Sequence, residues 1–235
     1  MLFRSLDDKD GGKACSALRS KVRSEVRGKH YKTPTLEMGD PKTQPAMVFL
    51  HGWPDTAAIW ANQFAEFCGD DKYYCVAPSW IDYHPDYPSR VESLPSPTWK
   101  DQVDAFKDVI DDLGLTDITL VAFDFGAYMS YQMLHYWPDL ATVHIALDIG
   151  MKVGHNIAPV PSDGRKDVIP IYQQNNIDAF LEKNDQAMTA NLETRLGGKA
   201  PCHNCKIAPN ATAGSIGART GWPYYNFVRT DKPWN

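Results

Sequence analysis

An aspartate set between small residues at a strand-to-helix bend can serve as a nucleophile, and Val121-Ala122-Phe123-Asp124-Phe125-Gly126-Ala127 has that form. In such an elbow the backbone turns so tightly that neighbouring positions must be small, and the central side chain stands out over the strand ends. A carboxylate there suits displacement at a saturated carbon, which yields an ester between protein and substrate. The plainer alternative is that Asp124 caps the following helix, a common task for aspartate. Its partner stretch is His51-Gly52-Trp53-Pro54, placed after an apolar run. Cleaving an ester builds negative charge on a carbonyl oxygen, and two converging backbone N–H groups stabilise that charge. Gly52 lets the chain turn, Trp53 and Phe125 each offer an N–H, and Pro54 has none to give. His51 is read as a brace for this loop rather than as a general base, and Gly126 as the small residue that the elbow requires.

The elements that must position these residues are legible in the periodicity. Ala46 to Leu50, Tyr73 to Ala77, Ile118 to Phe123 and Val143 to Leu147 are short apolar runs of the kind buried strands carry. Between them lie helical patterns over Thr56 to Cys68, Trp99 to Leu113 and Ala127 to Trp137. On the first of these, Ile59, Trp60, Phe64 and Phe67 share a face. Thr98 and Asp101 form a capping box ahead of the second. Strict alternation of strand and helix predicts right-handed crossovers and a mostly parallel α/β sheet with helices on both faces. Tyr31 to Met38 reads as an earlier, more exposed strand. Residues 1–29 read as a polar tail and 30–150 as the α/β core. Beyond Asp148 the chain becomes rich in Pro, Gly and Asp, after which Ile177, Phe180, Leu181, Met188 and Leu192 outline an amphipathic helix. Residues 196–222 read as loop, and 151–228 as a whole as a helical cap.

Composition narrows the partners. The 235 residues carry a net charge of −5 with no basic stripe, which argues against nucleic acid and anionic membranes. No apolar run approaches the roughly 18 residues of a membrane span. Five scattered cysteines, Cys15, Cys68, Cys75, Cys202 and Cys205, read as reduced thiols of a cytoplasmic protein. Cys202-His203-Asn204-Cys205 lacks the further ligand pair that a zinc site needs, so neither metal nor cofactor is expected. Asn210-Ala211-Thr212 fits a glycosylation acceptor, relevant only to a secreted chain.

Two stretches, Val48-Phe49-Leu50-His51-Gly52-Trp53-Pro54-Asp55 and Val121 to Ala127, resemble the paired signatures of epoxide hydrolases and haloalkane dehalogenases in the α/β-hydrolase superfamily. The resemblance spans roughly residues 30 to 230. Trp53 between Gly and Pro looks more like epoxide hydrolases, because dehalogenases usually place Asn or Glu there. Phe125 departs from the Trp that both families generally carry, which weakens a halide-binding role further. The resemblance implies a small hydrophobic substrate and two cap tyrosines that act as acids towards the epoxide oxygen. Pro170-Ile171-Tyr172-Gln173 resembles the first tyrosine segment, which implies Tyr172. Gly221-Trp222-Pro223-Tyr224-Tyr225-Asn226-Phe227 resembles the second, with Tyr225 implied as the donor, although an ungapped reading puts Phe227 there. Simple cap packing is the alternative for each of these aromatics.

The same resemblance implies a histidine after the last strand and an acid after the strand before it, both beyond the cap. Residues 229–235 would only begin that segment. His135, His144 and His203 do not stand at the family's position for the base, whereas Asp148 matches an alternative acid position of some dehalogenases. The expectation is therefore a chain that lacks the last strands, exposes a sheet edge and forms the ester without releasing it. A dehalogenase, or a hydrolase-fold binding protein that has lost its base, are the competing readings. Oligomeric state is not predicted.

Overall fold

The structure, a computed structural model, describes residues 19–23, 33–68, 72–81, 83, 97–148, 171–196 and 221–229. Six strands form one sheet: β1 Arg19–Arg23, β2 Thr33–Met38, β3 Ala46–Leu50, β4 Tyr74–Pro78, β5 Ile118–Phe123 and β6 Ala141–Leu147. Their spatial order is β1-β2-β4-β3-β5-β6. β4, β3, β5 and β6 run parallel, while β2 is antiparallel to β4 and to β1. The sheet is thus mostly parallel, as the alternating pattern predicts.

A 3₁₀ turn, Ala57–Trp60, leads into α1, Ala61–Phe67, and these connect β3 to β4. α2, Trp99–Asp112, connects β4 to β5, and α3, Phe125–Tyr136, connects β5 to β6. The chain moves one way across the sheet from β3 to β4, and the other way from β4 through β5 to β6. A right-handed crossover reverses its face when the direction of travel reverses. Hence α1 packs on one side of the sheet, with Phe49, Phe64 and Cys75, while α2 and α3 pack on the other. The capping box stands as predicted: Thr98 Oγ1 accepts from the Asp101 N–H at 3.1 Å, and Asp101 accepts from the Thr98 N–H at 3.0 Å. Beneath it Trp99, Val103, Phe106, Val109 and Ile110 present a buried stripe at helical spacing.

The structure differs from the sequence reading in five places. Part of the supposed tail is strand β1, whose backbone pairs with β2 from Arg19↔Glu37 to Arg23↔Thr33. β2, expected to be exposed, is buried from Thr33 to Glu37 because β1 and β4 flank it. Its Glu37 is reconciled with burial by hydrogen bonds from Thr35 Oγ1 at 2.6 Å and Tyr74 Oη at 2.8 Å. Phe67 is 41 % exposed rather than inward, because the 3₁₀ turn rotates the helix face relative to one continuous helix. Cys68 and Cys75 form a disulfide rather than reduced thiols, since the end of α1 brings its Cα to 5.9 Å from the first half of β4. The argument for a reducing compartment falls with that pair; Cys15, Cys202 and Cys205 lie outside the described residues.

The fifth difference is in the cap. The pattern from Ile177 to Leu192 is not one helix but α4, Ile171–Leu181, and α5, Asp185–Leu196. They are separated at Lys183, whose φ of +53° interrupts helical continuation. The aromatic stretch is a further helix, α6, Trp222–Arg229. It is fastened to the core by Asn226 Nδ2, which donates to the Pro97 carbonyl at 2.8 Å, and by Trp222, whose ring lies 5.2 Å from that of Trp99. Residues 197–220 and the glycosylation motif lie outside the described residues. No helix among the described residues is long and apolar enough to cross a membrane.

At the opposite edge from β1 lies β6. Alternate side chains, His144 and Ala146, face α3, while Val143, Ile145 and Leu147 are 47 %, 41 % and 46 % exposed on the other face. In the described sheet β6 is a terminal strand without a lysine, glutamate or proline to discourage pairing.

Candidate active site

β3 and β5 are neighbours, yet the crossovers from them depart in opposite directions. Loops that diverge at the carboxyl ends of adjacent strands leave a crevice between them. Register makes the two loops coincide: Leu50 pairs with Ala122, so the 51–54 loop and residue 124 leave the sheet together. The two stretches singled out by residue type are thereby adjacent in space.

Asp124 sits at φ +55°, ψ −130°, and its side chain makes no capping bond to α3. Non-glycine residues enter this region at a cost and persist there only where the surroundings enforce it. Its carbonyl starts α3, accepting from the Ala127 N–H at 2.9 Å, while its own N–H donates to the Leu147 carbonyl of β6 at 3.2 Å. The backbone is fixed by both neighbours, and the carboxylate points at the 51–54 loop instead of the helix. The capping alternative is thus excluded by geometry. The N–H of Trp53 donates to Asp124 Oδ1 at 2.9 Å.

Two glycines allow this approach. A methyl group on Gly52 would lie 2.8 Å from Asp124 Oδ1 and 2.9 Å from its Cγ. One on Gly126 would collide with the carbonyl oxygens of Leu50 and His51, rigid backbone that cannot yield cheaply. Gly126→Ala is expected to lower stability by about 1–3 kcal/mol, the usual cost of overpacking. Urea unfolding followed by circular dichroism measures it, and an unchanged midpoint would contradict the close contact.

His51 is held within its loop by two hydrogen bonds. It is fully buried; Nδ1–H donates to the Gly52 carbonyl at 2.9 Å and Nε2 accepts from the Trp80 N–H at 3.2 Å. Its ring stacks on Trp80 at 5.2 Å. This network assigns the neutral tautomer, and burial lowers the imidazole to about 4, against a raising contribution from its bond to Gly52. A histidine depressed in the folded state but ordinary in the unfolded one favours unfolding as pH falls. Its stabilising effect is complete above about 6.5 and lost between 6.5 and 4, a span worth about 3 kcal/mol. His51→Gln is therefore expected to flatten that part of the stability–pH curve, measured by denaturant titration from pH 4 to 7. The same steep fall in the variant would assign the effect elsewhere.

The remaining predicted residues divide. Phe125 begins α3 and is buried against Trp99 at 5.4 Å and Trp80 at 6.4 Å. Tyr172 lies on α4, its ring 5.9 Å from that of Tyr224. Tyr224, not Tyr225, meets the backbone donors: its ring lies 4.8 Å from Trp53 and 5.2 Å from Phe125. Tyr225 lies 5.3 Å from Phe180, within the cap. The reason is helical. Adjacent residues on α6 point about 100° apart, so only one of the pair faces the crevice. Nothing is described for the side chain of Phe227. Asp148 follows Leu147, whose carbonyl accepts from the Asp124 N–H, and stands at φ +64° just beyond β6.

Of the described histidines, His144 bonds through Nε2 to Ser130 Oγ at 2.8 Å, and His135 packs on Tyr136 at the far end of α3. His203 lies outside the described residues. Asp55 is a residue that sequence reading noticed only as part of a motif. Burial, and then the charge of Asp124, raise its carboxyl to about 7. A surface hollow of about 520 Å³, lined by Lys107, Asp117 and Trp137 among others, opens at the other end of β5 and takes no part in the site.

Comparison with known proteins agrees with this fold. A profile described as the alpha/beta hydrolase family matches residues 47–223. Epoxide hydrolase 1 of Caenorhabditis elegans is 29% identical over 132 residues, which is 56% of this chain and 29% of that protein. Epoxide hydrolase 3 of Mus musculus is 34% identical over 97 residues, 41% of this chain and 25% of that protein. The matches span less than a third of the length of these curated relatives. Among solved structures, an epoxide hydrolase from Vigna radiata superposes with a TM-score of 0.64 at 19% identity, covering 92% of this chain and 76% of its own. A haloalkane dehalogenase loop variant from Bradyrhizobium elkanii gives 0.57 at 19% identity, covering 88% and 69%. At such identities the superpositions speak for the fold.

Proposed function

The chain belongs to the alpha/beta hydrolase family, and on that premise we propose that its chemistry is of the epoxide hydrolase type, with Asp124 as nucleophile. The observation that carries this reading is the 2.9 Å bond from the Trp53 N–H to Asp124 Oδ1. It supports this reading by holding one carboxylate oxygen on a backbone donor, as an oxyanion would be held during ester hydrolysis, while the second oxygen is the attacking atom proposed. A serine at the elbow would attack a carbonyl. A carboxylate instead attacks a saturated carbon, and an epoxide supplies one that is strained and carries its own leaving group.

Ring opening transfers the charge of Asp124 to the epoxide oxygen. Tyr172 is the donor proposed for that oxygen, and Tyr224, in ring contact with Tyr172, Trp53 and Phe125, is better placed than Tyr225 to be the second. Trp53, Phe125 and these tyrosines make an aromatic wall, which favours a small hydrophobic substrate. Hydrolysis then requires a base to activate water, with Trp53 and Phe125 supplying N–H groups to the oxyanion. None of the described histidines is free for that duty at Asp124: His51 is spent on the loop, and His144 is bound to Ser130. The ester on Asp124 is therefore the species by which this reading is tested.

The test is to incubate the folded chain with styrene oxide and search by intact mass for one added substrate, located on Asp124 by peptide mapping. A persistent adduct on Asp124 supports the reading. A folded sample that is never labelled there rules it out.

A further inference from the structure

At the opposite end of β5 from Asp124, the two elements that form the elbow meet again around a hollow. β5 begins there and α3 ends there, beside the last turn of α2, and together they surround about 520 Å³. A hollow of that size accommodates a small organic molecule. Its walls are set by backbone bonds. The Leu115 N–H donates to the Ile110 carbonyl at 3.0 Å where α2 ends, and the Leu140 N–H donates to the Trp137 carbonyl at 3.0 Å where α3 ends. Ile118 pairs with Ala141, so the residues before them, Asp117 and Leu140, enter the sheet side by side.

The lining is apolar on one part and acidic on another. Ile110 is buried, and Leu115, Leu140 and Trp137 pack against the same core. The charged members are three aspartates, Asp111, Asp117 and Asp139, and one lysine, Lys107. Lys107 shows how the hollow receives a cation. Its Nζ donates to both carboxylate oxygens of Asp111, at 2.6 and 2.7 Å, and lies 5.5 Å from the centre of the Trp137 ring. An ammonium set between a carboxylate and an indole is stabilised by charge and by the ring quadrupole together. Lys107 and Asp111 are thereby matched to each other. The further charge that the lining presents is that of Asp117 and Asp139, both exposed at the rim, where a ligand can reach them.

We propose that this hollow is a second binding site, and that it takes a small organic amine. The ammonium of the ligand lies against Asp117 and Asp139, and its apolar body lies on Ile110, Leu115, Leu140 and Trp137. An anion of the same shape would meet two like charges at the rim, and a neutral molecule would gain nothing from them. The arrangement repeats with an external amine what Lys107 already does from within. The site is independent of the chemistry proposed for Asp124.

Tryptamine and indole-3-propionate carry the same ring with opposite charge, and calorimetric titration of each into the folded chain at neutral pH and low salt is the test. Tryptamine is expected to bind with a Kd on the order of 1 mM or tighter, and indole-3-propionate at least about tenfold more weakly. Asp117→Asn combined with Asp139→Asn should weaken tryptamine by about tenfold. Both positions are exposed, and asparagine accepts the φ of +51° at residue 117. Asp124→Asn should bind tryptamine as the wild type does. In ¹⁵N-tryptophan-labelled protein, the indole signal of Trp137, identified by its absence in Trp137→Phe, should move as tryptamine is added. Equal affinity for the two probes overturns the proposal, as does a double variant that binds like wild type. Loss of binding in Asp124→Asn would place the amine in the crevice, which also overturns it. If the double variant does not fold, the wild-type spectra decide, and a Trp137 signal that stays still at saturating tryptamine overturns the site.

Discussion

Asp124→Asn is expected to bring covalent labelling by an epoxide below detection, a loss on the order of 10⁴-fold or more. Asparagine tolerates positive φ better than most residues, so the +55° backbone of the elbow survives the change. Its amide oxygen still accepts from the Trp53 N–H. What disappears is the negative charge and the second nucleophilic oxygen, so the loss is one of chemistry and not of folding. Circular dichroism and intact mass on the same sample separate the two. Labelling of the variant at the wild-type rate would mean that another residue reacts.

Trp99→Ala is expected to cost about 3–5 kcal/mol of stability, the usual range for emptying a buried aromatic site. Trp99 is 2 % exposed and opens α2. Its ring lies 4.9 Å from Tyr128, 5.2 Å from Trp222, 5.4 Å from Phe125 and 6.4 Å from Trp80. One side chain therefore joins the core helices, the elbow and the cap, and its removal leaves a cavity bordered by all three. Its Nε1 has no hydrogen-bond partner among the described residues, so the indole serves as an apolar block. Trp99→Phe should accordingly cost much less than Trp99→Ala, and urea unfolding of the pair gives the comparison. Equal costs would show that the lost interaction is polar and that packing does not account for the residue.

The elbow and its companion loop were legible because each is a local rule written in consecutive residues. A small residue beside a tight turn, an N–H donor after a glycine and a proline without one need no knowledge of distant contacts. The capping box Thr98–Asp101 was legible for the same reason. Features decided across the fold were not. Cys68 and Cys75 look like two scattered thiols until α1 reverses the chain beside β4. Arg19–Arg23 carries charge like a tail, and becomes a strand because β2 offers it an edge. Of the adjacent pair Tyr224 and Tyr225, only the helical phase of α6 decides which faces the crevice, and composition is silent on phase. Asp55 was visible as a motif letter. Its raised carboxyl depends on burial and on the charge of Asp124, and neither is a property of the motif alone.

The contacts of Tyr224 with both Trp53 and Phe125 tie the roof of the crevice to the amides beneath it. Any swing of α6 wide enough to admit a molecule must slide an aromatic ring off the two residues whose N–H groups would steady the transition state. Such a displacement would take the aromatic cover off Trp53 and Phe125 together. The indole of Trp53 is in contact with that ring, so its emission would report any such displacement.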